Sequence, residues 1–547
     1  MANDSNEKSD VTVDDILRIL GSFGRANVYN YVLILFPILL SGIYSSVYNF
    51  EALDLPYRCS TECNEPSVNF TAPHIHGKPA RCVRYPLKSG ISNHTCTPQM
   101  FDHSRTVKCN SYVYFENHSI VKEFNLGCQD WKRSLVGTVH NAGFFVSIPL
   151  TGFVSDKYGR RVAVVFATVM SGVFGVVRGF AVNYEMFMAA EFLETAIGGG
   201  VYTAGFVLAL ELVRPEGRVF VSLLFDTFYI LGGITVTLLY WWLQSWRALL
   251  FVIYTPGILV LSYLWLLTES FRWLFSKGHY TKGVETLKRC ERINNVTIPE
   301  YHYEQVQEHA RRQRDAEKLD AKQFNRTAIK QLFMSKMIWK RLMTCAFLWI
   351  SSTLGYFGLS INAIELAGNS YMNYIIVLLI EAPANICKFF LLDRFGRKRV
   401  IVSAFIMSGI ILISYGFLPA GGCWSMGFYL GGKFFITLAY NSLYIFAAEV
   451  FPTNYRTTML GLCSTIGRIG SVIAPQTPLL SKYYDSLPTL FFGAMATISG
   501  FLVLTLPETS KQKLPDSLKE AQDLERVKRE GIEDKGLVNS EDATSEI

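Results

Sequence analysis

The chain has 547 residues, half of them apolar, 14% aromatic and 18% charged, with a formal net charge of +7. Soluble domains carry roughly 25% charged residues, so a chain this poor in charge lacks the polar surface of an ordinary globule. The modest positive balance fits cytosolic loops beside anionic lipid headgroups and gives no reason to expect a nucleic-acid partner.

In chain order, a polar stretch carrying Asp4, Glu7, Asp10, Asp14 and Asp15 comes first. Twelve apolar runs follow, each close to the roughly 20 residues that cross a hydrocarbon layer. They cover 28–50, 134–154, 162–182, 186–210, 219–243, 248–267, 342–363, 372–392, 400–418, 424–447, 457–478 and 489–506, and are numbered here as spans 1 to 12. The first is too long for a signal-peptide core and is expected to stay in the membrane. The expected fold is therefore an all-α polytopic membrane protein in two six-helix halves. Its divisions are a cytosolic N-terminus 1–27, a first half 28–267 containing an extracellular loop 51–133, a cytosolic central loop 268–341, a second half 342–506 and a cytosolic tail 507–547.

Orientation follows from Lys and Arg, which are retained on the cytosolic side. The short loops after spans 2, 4 and 8 hold Lys157, Arg160 and Arg161; Arg214 and Arg218; and Arg394, Arg397, Lys398 and Arg399, whereas the opposite short loops hold only Arg247 and Lys482. The long loop after span 1 collects Cys59, Cys63, Cys82, Cys96, Cys109 and Cys128, enough for up to three disulfides whose pairing the sequence leaves open. It also holds glycosylation sequons at Asn69, Asn93 and Asn117, usable only outside the cytosol. Both termini are thus expected in the cytosol, with the protein in the plasma membrane. The sequons at Asn295 and Asn325 fall on the cytosolic side and are expected to stay bare.

Three motifs recur at nearly constant offset. Asp156-Lys157-Tyr158-Gly159-Arg160-Arg161 returns as Asp393-Arg394-Phe395-Gly396-Arg397-Lys398, 237 residues on; Glu211 with Arg218 returns as Glu449 with Arg456, 238 on; Thr268-Glu269-Ser270 returns as Pro507-Glu508-Thr509, 239 on. A duplicated six-span unit explains this. The acids and arginines at the span ends read as a cytosolic gate in which Asp156 pairs with Arg across a bundle, holding one face closed and breaking when that face opens. The central segment, with Arg311-Arg312-Gln313-Arg314, reads equally well as short amphipathic helices or as a solvated linker.

These repeated loops resemble those of the major facilitator superfamily. Within it, the Cys-rich first loop, Glu269-Ser270-Phe271-Arg272-Trp273-Leu274, Tyr356-Phe357-Gly358-Leu359-Ser360 and Glu449-Val450-Phe451-Pro452-Thr453-Asn454-Tyr455-Arg456 are similar to solute carrier family 22, the organic cation, carnitine and organic anion transporters, and look closest to the organic cation and carnitine branch. Thr268, Glu191 and Lys157 depart from that family's usual Pro, Arg and Arg.

Ionisable residues inside a bilayer are costly and mark function by default; here they are Arg178, Glu191, Glu194, Asp226, Glu381, Lys388, Lys433 and Arg468. The resemblance implies a central solute site at Tyr202, Phe206, Asp226, Tyr229, Trp349, Tyr356, Glu381, Asn441 and Arg468. Aromatic faces attract an ammonium by about 0.5–2 kcal/mol each, an acid supplies counter-charge, and Arg468 suits a carboxylate. Individual aromatics serve packing as readily, and Asp226 could instead neutralise Arg468 or Lys433. Pro383, two residues beyond Glu381, points to irregular backbone beside a cavity. By the resemblance, cation carriers hold an acid at the place of Arg468 and carnitine and anion carriers an Arg. The solute therefore reads as a small organic ion, an organic cation or, with Arg468, a zwitterion of carnitine type, carried by alternating access.

Gly427 to Lys433 resembles a phosphate-binding loop, but Phe434 stands where Ser or Thr would bind magnesium. No cofactor, metal or enzyme chemistry is expected. Sugar transport, organic anion transport and a non-transporting receptor are the competing readings. A co-transported ion and a PDZ-domain protein docking on Ser545-Glu546-Ile547 are candidate partners.

Overall fold

A chain crossing lipid has to satisfy every backbone N–H and C=O internally, and helices do this within one segment. The computed structural model describes residues 13–21, 24–61, 68–75, 78–88, 97–214, 217–323, 336–419, 422–451 and 456–509. Span 1 is Arg25–Glu51, span 3 Arg160–Gly179, span 4 Tyr184–Leu212, span 5 Arg218–Leu243, span 6 Trp246–Leu266, span 7 Lys336–Glu365, span 8 Ser370–Phe395 and span 9 Arg397–Tyr415, and these eight are long and apolar enough to cross a membrane. Asp130–Tyr158, Cys423–Val450, Arg456–Ile473 and the shorter Leu487–Val503 supply spans 2, 10, 11 and 12. Span 8 is interrupted at Ile380, and its second segment starts at Glu381, which agrees with the irregularity read from Pro383.

The duplication extends into the packing. Glycines let membrane helices approach closely. A Cβ on Gly409 of span 9 would lie 3.0 Å from the Gly493 carbonyl of span 12, and in the first half a Cβ on Gly257 of span 6 would lie 3.5 Å from the Gly172 Cα of span 3.

An even number of spans puts both described ends on one face, called here the terminal face; the Cys-rich segment lies on the other, the loop face. On the loop face Tyr57–Cys59 pairs antiparallel with Tyr112–Tyr114, and disulfides join Cys59 to Cys109 and Cys82 to Cys128. Cys63, Cys96 and Asn93 lie outside the described residues, as do Asn325 and the Ser545-Glu546-Ile547 tail. Asn69 sits in the short helix Val68–Thr71, and Asn117 is exposed. A bond closing a segment of this length stabilises by about 2–4 kcal/mol. Cys82→Ser is therefore expected to lower the thermal unfolding temperature, and reductant to shift the wild type but not a variant lacking both bonds; equal stability of Cys82→Ser and wild type would contradict the pairing.

At the terminal face the described part of the central segment forms Phe271–Ser276, Tyr280–Asn294 and Glu300–Gln323, helices rather than an open linker. They pack on the first half together with an N-terminal helix, Val13–Leu20, whose Ile16, Leu17 and Leu20 share a core with Leu212, Phe271, Leu287 and Tyr303. Asn294 locks the junction: its Oδ1 accepts from the Ala26 N–H at 2.8 Å and its Nδ2 donates to the Leu20 carbonyl at 3.1 Å.

Candidate functional site

The repeated motifs build the same device twice on the terminal face. In the first half Arg160 donates to Asp156 at 2.6 Å and to Glu211 at 3.1 Å, while Glu269 Oε1 accepts the backbone N–H groups of Arg160 at 2.9 Å and Arg161 at 3.1 Å. Ser270 closes the ring on Glu211, and Arg161 reaches the Leu267 carbonyl. In the second half Arg397 pairs with Glu449 at 3.3 Å and Asp393 at 3.5 Å, Glu508 accepts the Lys398 N–H at 3.3 Å, and Thr509 donates to Glu449 at 2.6 Å. Burial raises the pKa of Glu269, and the backbone donors pull it back down.

This corrects the expected gate in two respects. Asp156 pairs with the arginine four residues on instead of reaching across a bundle, because the turn at Gly159 returns Arg160 beside it. Each of these bonds also stays inside its own half, so the clamps tie helix ends together and do not themselves close the face. Arg218, Arg394 and Arg456 form no ion pair among the described residues. Gly159 and Gly396 have φ of +110° and +89°, a region that side chains avoid, and a Cβ on Gly159 would sit 2.3 Å from Glu269 Oε2. Gly159→Ala is expected to cost about 1–3 kcal/mol. Gly152→Ala, where an added Cβ meets nothing within 4 Å, is the matched control in a thermal unfolding assay.

The bonds that bridge the halves gather at the loop face. Thr138 of span 2 donates to the Val472 carbonyl of span 11 at 3.1 Å and accepts from Gln476 at 2.8 Å. Arg133 pairs with Glu365 at 3.0 Å and Lys482 with Asp130 at 2.5 Å. Trp241 of span 5 stacks on Tyr371 of span 8 with ring centroids 5.5 Å apart. A cavity of about 620 Å³ lies outside this closure, lined by Asp54, Arg81, Arg133, Glu365 and Lys482 among others.

The sequence-derived central residues fall into two groups, one on each half. On the first half Tyr202 donates to Asp226 at 3.1 Å, and its ring meets those of Phe206 at 6.0 Å and Tyr229 at 5.5 Å. Among the described residues Asp226 forms an ion pair with neither Arg468 nor Lys433, the partners the sequence allowed; its hydrogen-bond partner is Tyr202. On the second half Tyr356 donates to Glu381 at 2.6 Å, and Lys433 pairs with Glu381 at 2.8 Å while its ammonium lies 3.7 Å over the Tyr356 ring. Asn441 donates to Asn385 at 2.5 Å. Trp349 is only 1% exposed, packed edge-on against Tyr444 at 4.3 Å, so it backs the group instead of lining an opening.

Arg468 differs from Lys433, which sits on Glu381. Its guanidinium lies 5.0 Å over the ring of Phe144 on span 2, and among the described residues it forms no ion pair with a carboxylate. Sequence reasoning missed Phe144, which carries no distinguishing signal in a long apolar run. It also missed Tyr440 and Tyr444, whose rings lie 5.7 Å apart beside Trp349 and Tyr356. Their four-residue spacing on either side of Asn441 put them on the same helix face and was a usable signal.

Residues 96–517 match the sugar (and other) transporter family. The organic cation transporter protein of Drosophila melanogaster is 28% identical over 522 residues, spanning 93% of this chain and 94% of the relative. Solute carrier family 22 member 4 of Mus musculus is 30% identical over 412 residues, spanning 74% and 72%. The chain belongs to solute carrier family 22. Among solved structures, the inward open conformation of the xylose transporter XylE from E. coli matches with a TM-score of 0.58 at 16% identity, over 90% of this chain and 98% of that one, which shows the major facilitator fold alone. This solute carrier is therefore a multi-pass membrane transporter of the secondary type and not an enzyme.

Proposed function

We propose that this solute carrier moves small zwitterionic organic ions of carnitine type across the plasma membrane by alternating access, with the loop face outside and both termini in the cytosol. One observation carries the reading: Glu381 is neutralised by Lys433 at 2.8 Å, whereas Arg468 lies over the Phe144 ring and has no carboxylate in ion-pair contact among the described residues. A guanidinium left uncompensated in low dielectric favours a carboxylate-bearing ligand. The aromatic edges and faces of Tyr202, Phe206, Tyr229, Tyr356 and Tyr440 suit the ammonium end of the same solute. The relatives named as organic cation transporters support an amine-bearing substrate. The clustered closure at the loop face supports a state open towards the cytosol, and the exposed Asn117 and the disulfides support that face being extracellular.

The pairing of Glu381 with Lys433 also favours an organic anion, since that acid is then not left to meet an amine. Radiolabelled uptake into expressing cells separates these readings. Saturable L-carnitine uptake competed by unlabelled carnitine, with weaker tetraethylammonium and p-aminohippurate uptake, is expected. Uptake of p-aminohippurate alone would establish the anion reading, and failure of all three the receptor reading.

A further inference from the structure

One buried cluster takes no part in the solute site. It joins Glu51 at the end of span 1, His140 of span 2, Arg178 of span 3, and Glu191 and Glu194 of span 4, every one of them at most 2% exposed. Arg178 Nη2 donates to Glu51 Oε1 at 2.8 Å and to the Tyr254 hydroxyl of span 6 at 2.9 Å, and Nη1 pairs with Glu191. His140 Nδ1 lies 2.8 Å from Glu191 Oε1 and 3.9 Å from Glu194 Oε2, with the Thr195 hydroxyl between them at 3.0 and 3.3 Å. Tyr44 stacks on Tyr254, and Tyr48 lies tilted against the His140 ring with centroids 4.9 Å apart, so the remaining titratable neighbours are phenols.

The charges do not balance. Three carboxylates face one guanidinium and one imidazole, and the imidazole gives its Nδ1 proton to Glu191. An uncompensated ion in such a medium costs several kcal/mol, so the cluster requires at least one further positive charge. Two acceptors stand ready for it: Glu51 Oε2 and His140 Nε2 are buried without a hydrogen-bond partner. The ligand atoms of His140, Glu191 and Glu194 do converge within 4.8 Å, as a metal site would. However, Glu191 already serves Arg178 with one oxygen and His140 with the other, and an adjacent guanidinium opposes a second multivalent cation. A proton on Glu51 Oε2 or His140 Nε2 cuts the deficit from two charges to one without breaking either bond, and a proton on each closes it.

The position of His140 gives the proton a mechanical outlet. Two residues before it, Thr138 bridges to span 11 in the loop-face closure. One turn after it, Phe144 meets the His140 ring at 5.8 Å and carries Arg468 on its own ring. The imidazole therefore lies between the closure and the solute-binding guanidinium.

We propose that the Glu51–His140–Arg178–Glu191–Glu194 cluster is a proton-binding site through which solute movement is coupled to protons. The coupling rests on the transport reading above; the proton site does not. Two measurements keep them apart. In the first, thermal unfolding of the purified protein is followed from about pH 8 to pH 7, above the ordinary values of free Glu and His. A proton held by the folded but not the unfolded state makes the folded-to-unfolded ratio rise about ten-fold per unit fall in pH. Wild type is expected to show this slope beyond that of Glu51→Gln/His140→Gln, and Glu51→Gln alone covers the case in which the double variant does not fold. A wild type without the slope, a slope kept in both variants, or stabilisation by sodium or zinc at fixed pH in its place would overturn the site. In the second, proteoliposomes are given an inward proton gradient, which is expected to speed L-carnitine uptake at least five-fold in wild type and not in Glu51→Gln. Carnitine uptake indifferent to the gradient would overturn the coupling and leave the transport reading standing. No uptake of carnitine, tetraethylammonium or p-aminohippurate would overturn the transport reading and the coupling with it, while the unfolding slope alone decides the proton site.

Discussion

Arg468→Ala is expected to reduce L-carnitine uptake about 30-fold or more in kcat/KM, with tetraethylammonium uptake changing less than about three-fold. Removing one partner of a desolvated, charge-assisted pair costs about 2–5 kcal/mol, and the lower figure corresponds to about 30-fold. The guanidinium is held over Phe144, a contact that orients it without using up its hydrogen-bond donors. Arg468→Lys keeps the charge and loses the planar fork, so an intermediate loss is expected. Equal losses for carnitine and tetraethylammonium would mean that Arg468 shapes the cavity and does not read the carboxylate. The comparison needs surface expression of each variant, measured by biotinylation, to separate binding from delivery.

The second large effect concerns stability. Lys433 and Glu381 are at most 3% exposed and 2.8 Å apart. Lys433→Met leaves a carboxylate buried beside Tyr356 with no cation, which costs about 3–5 kcal/mol. The double variant Glu381→Gln/Lys433→Met removes both charges at nearly constant volume and is expected to regain most of that loss, since replacing a whole buried pair is often neutral. Thermal unfolding of wild type, both single variants and the double variant completes the cycle. Additive losses in the double variant would show that the two side chains are energetically independent despite their contact. The same cycle bears on the solute: if the pair is structural, carnitine uptake by the folded double variant stays near that of wild type.

The architecture was readable in advance because its signals are local or periodic. An apolar run of about 20 residues announces a span whatever its neighbours, and the echo of Asp156-to-Arg161 in Asp393-to-Lys398 carried the duplication into three dimensions with the same bonds. Even the interruption before Glu381 was signalled by Pro383. Partner choice was another matter. Residue spacing shows that Asp156 can meet Arg160, but not whether a more distant arginine wins, and it is the turn at Gly159 that decides. Glu381 finds Lys433 and Asp226 finds Tyr202 from different spans, an outcome set by how the helices rotate against one another. Span 4 put Glu191 on record as a departure from the family, yet its link to Arg178 and His140 required three spans to be brought together.

The helices 271–276, 280–294 and 300–323 and the N-terminal helix are fastened to one half of the molecule through Asn294 and the core around Leu212. Among the described residues this makes the bundle lopsided: one half carries ballast on the terminal face and the other does not. A protein gripping this ballast from the terminal face alone holds a single half and gains no leverage over the tilt between the two. To act as a brake it must also touch the ends of spans 8 and 10, where Asp393, Arg397 and Glu449 would be its footing.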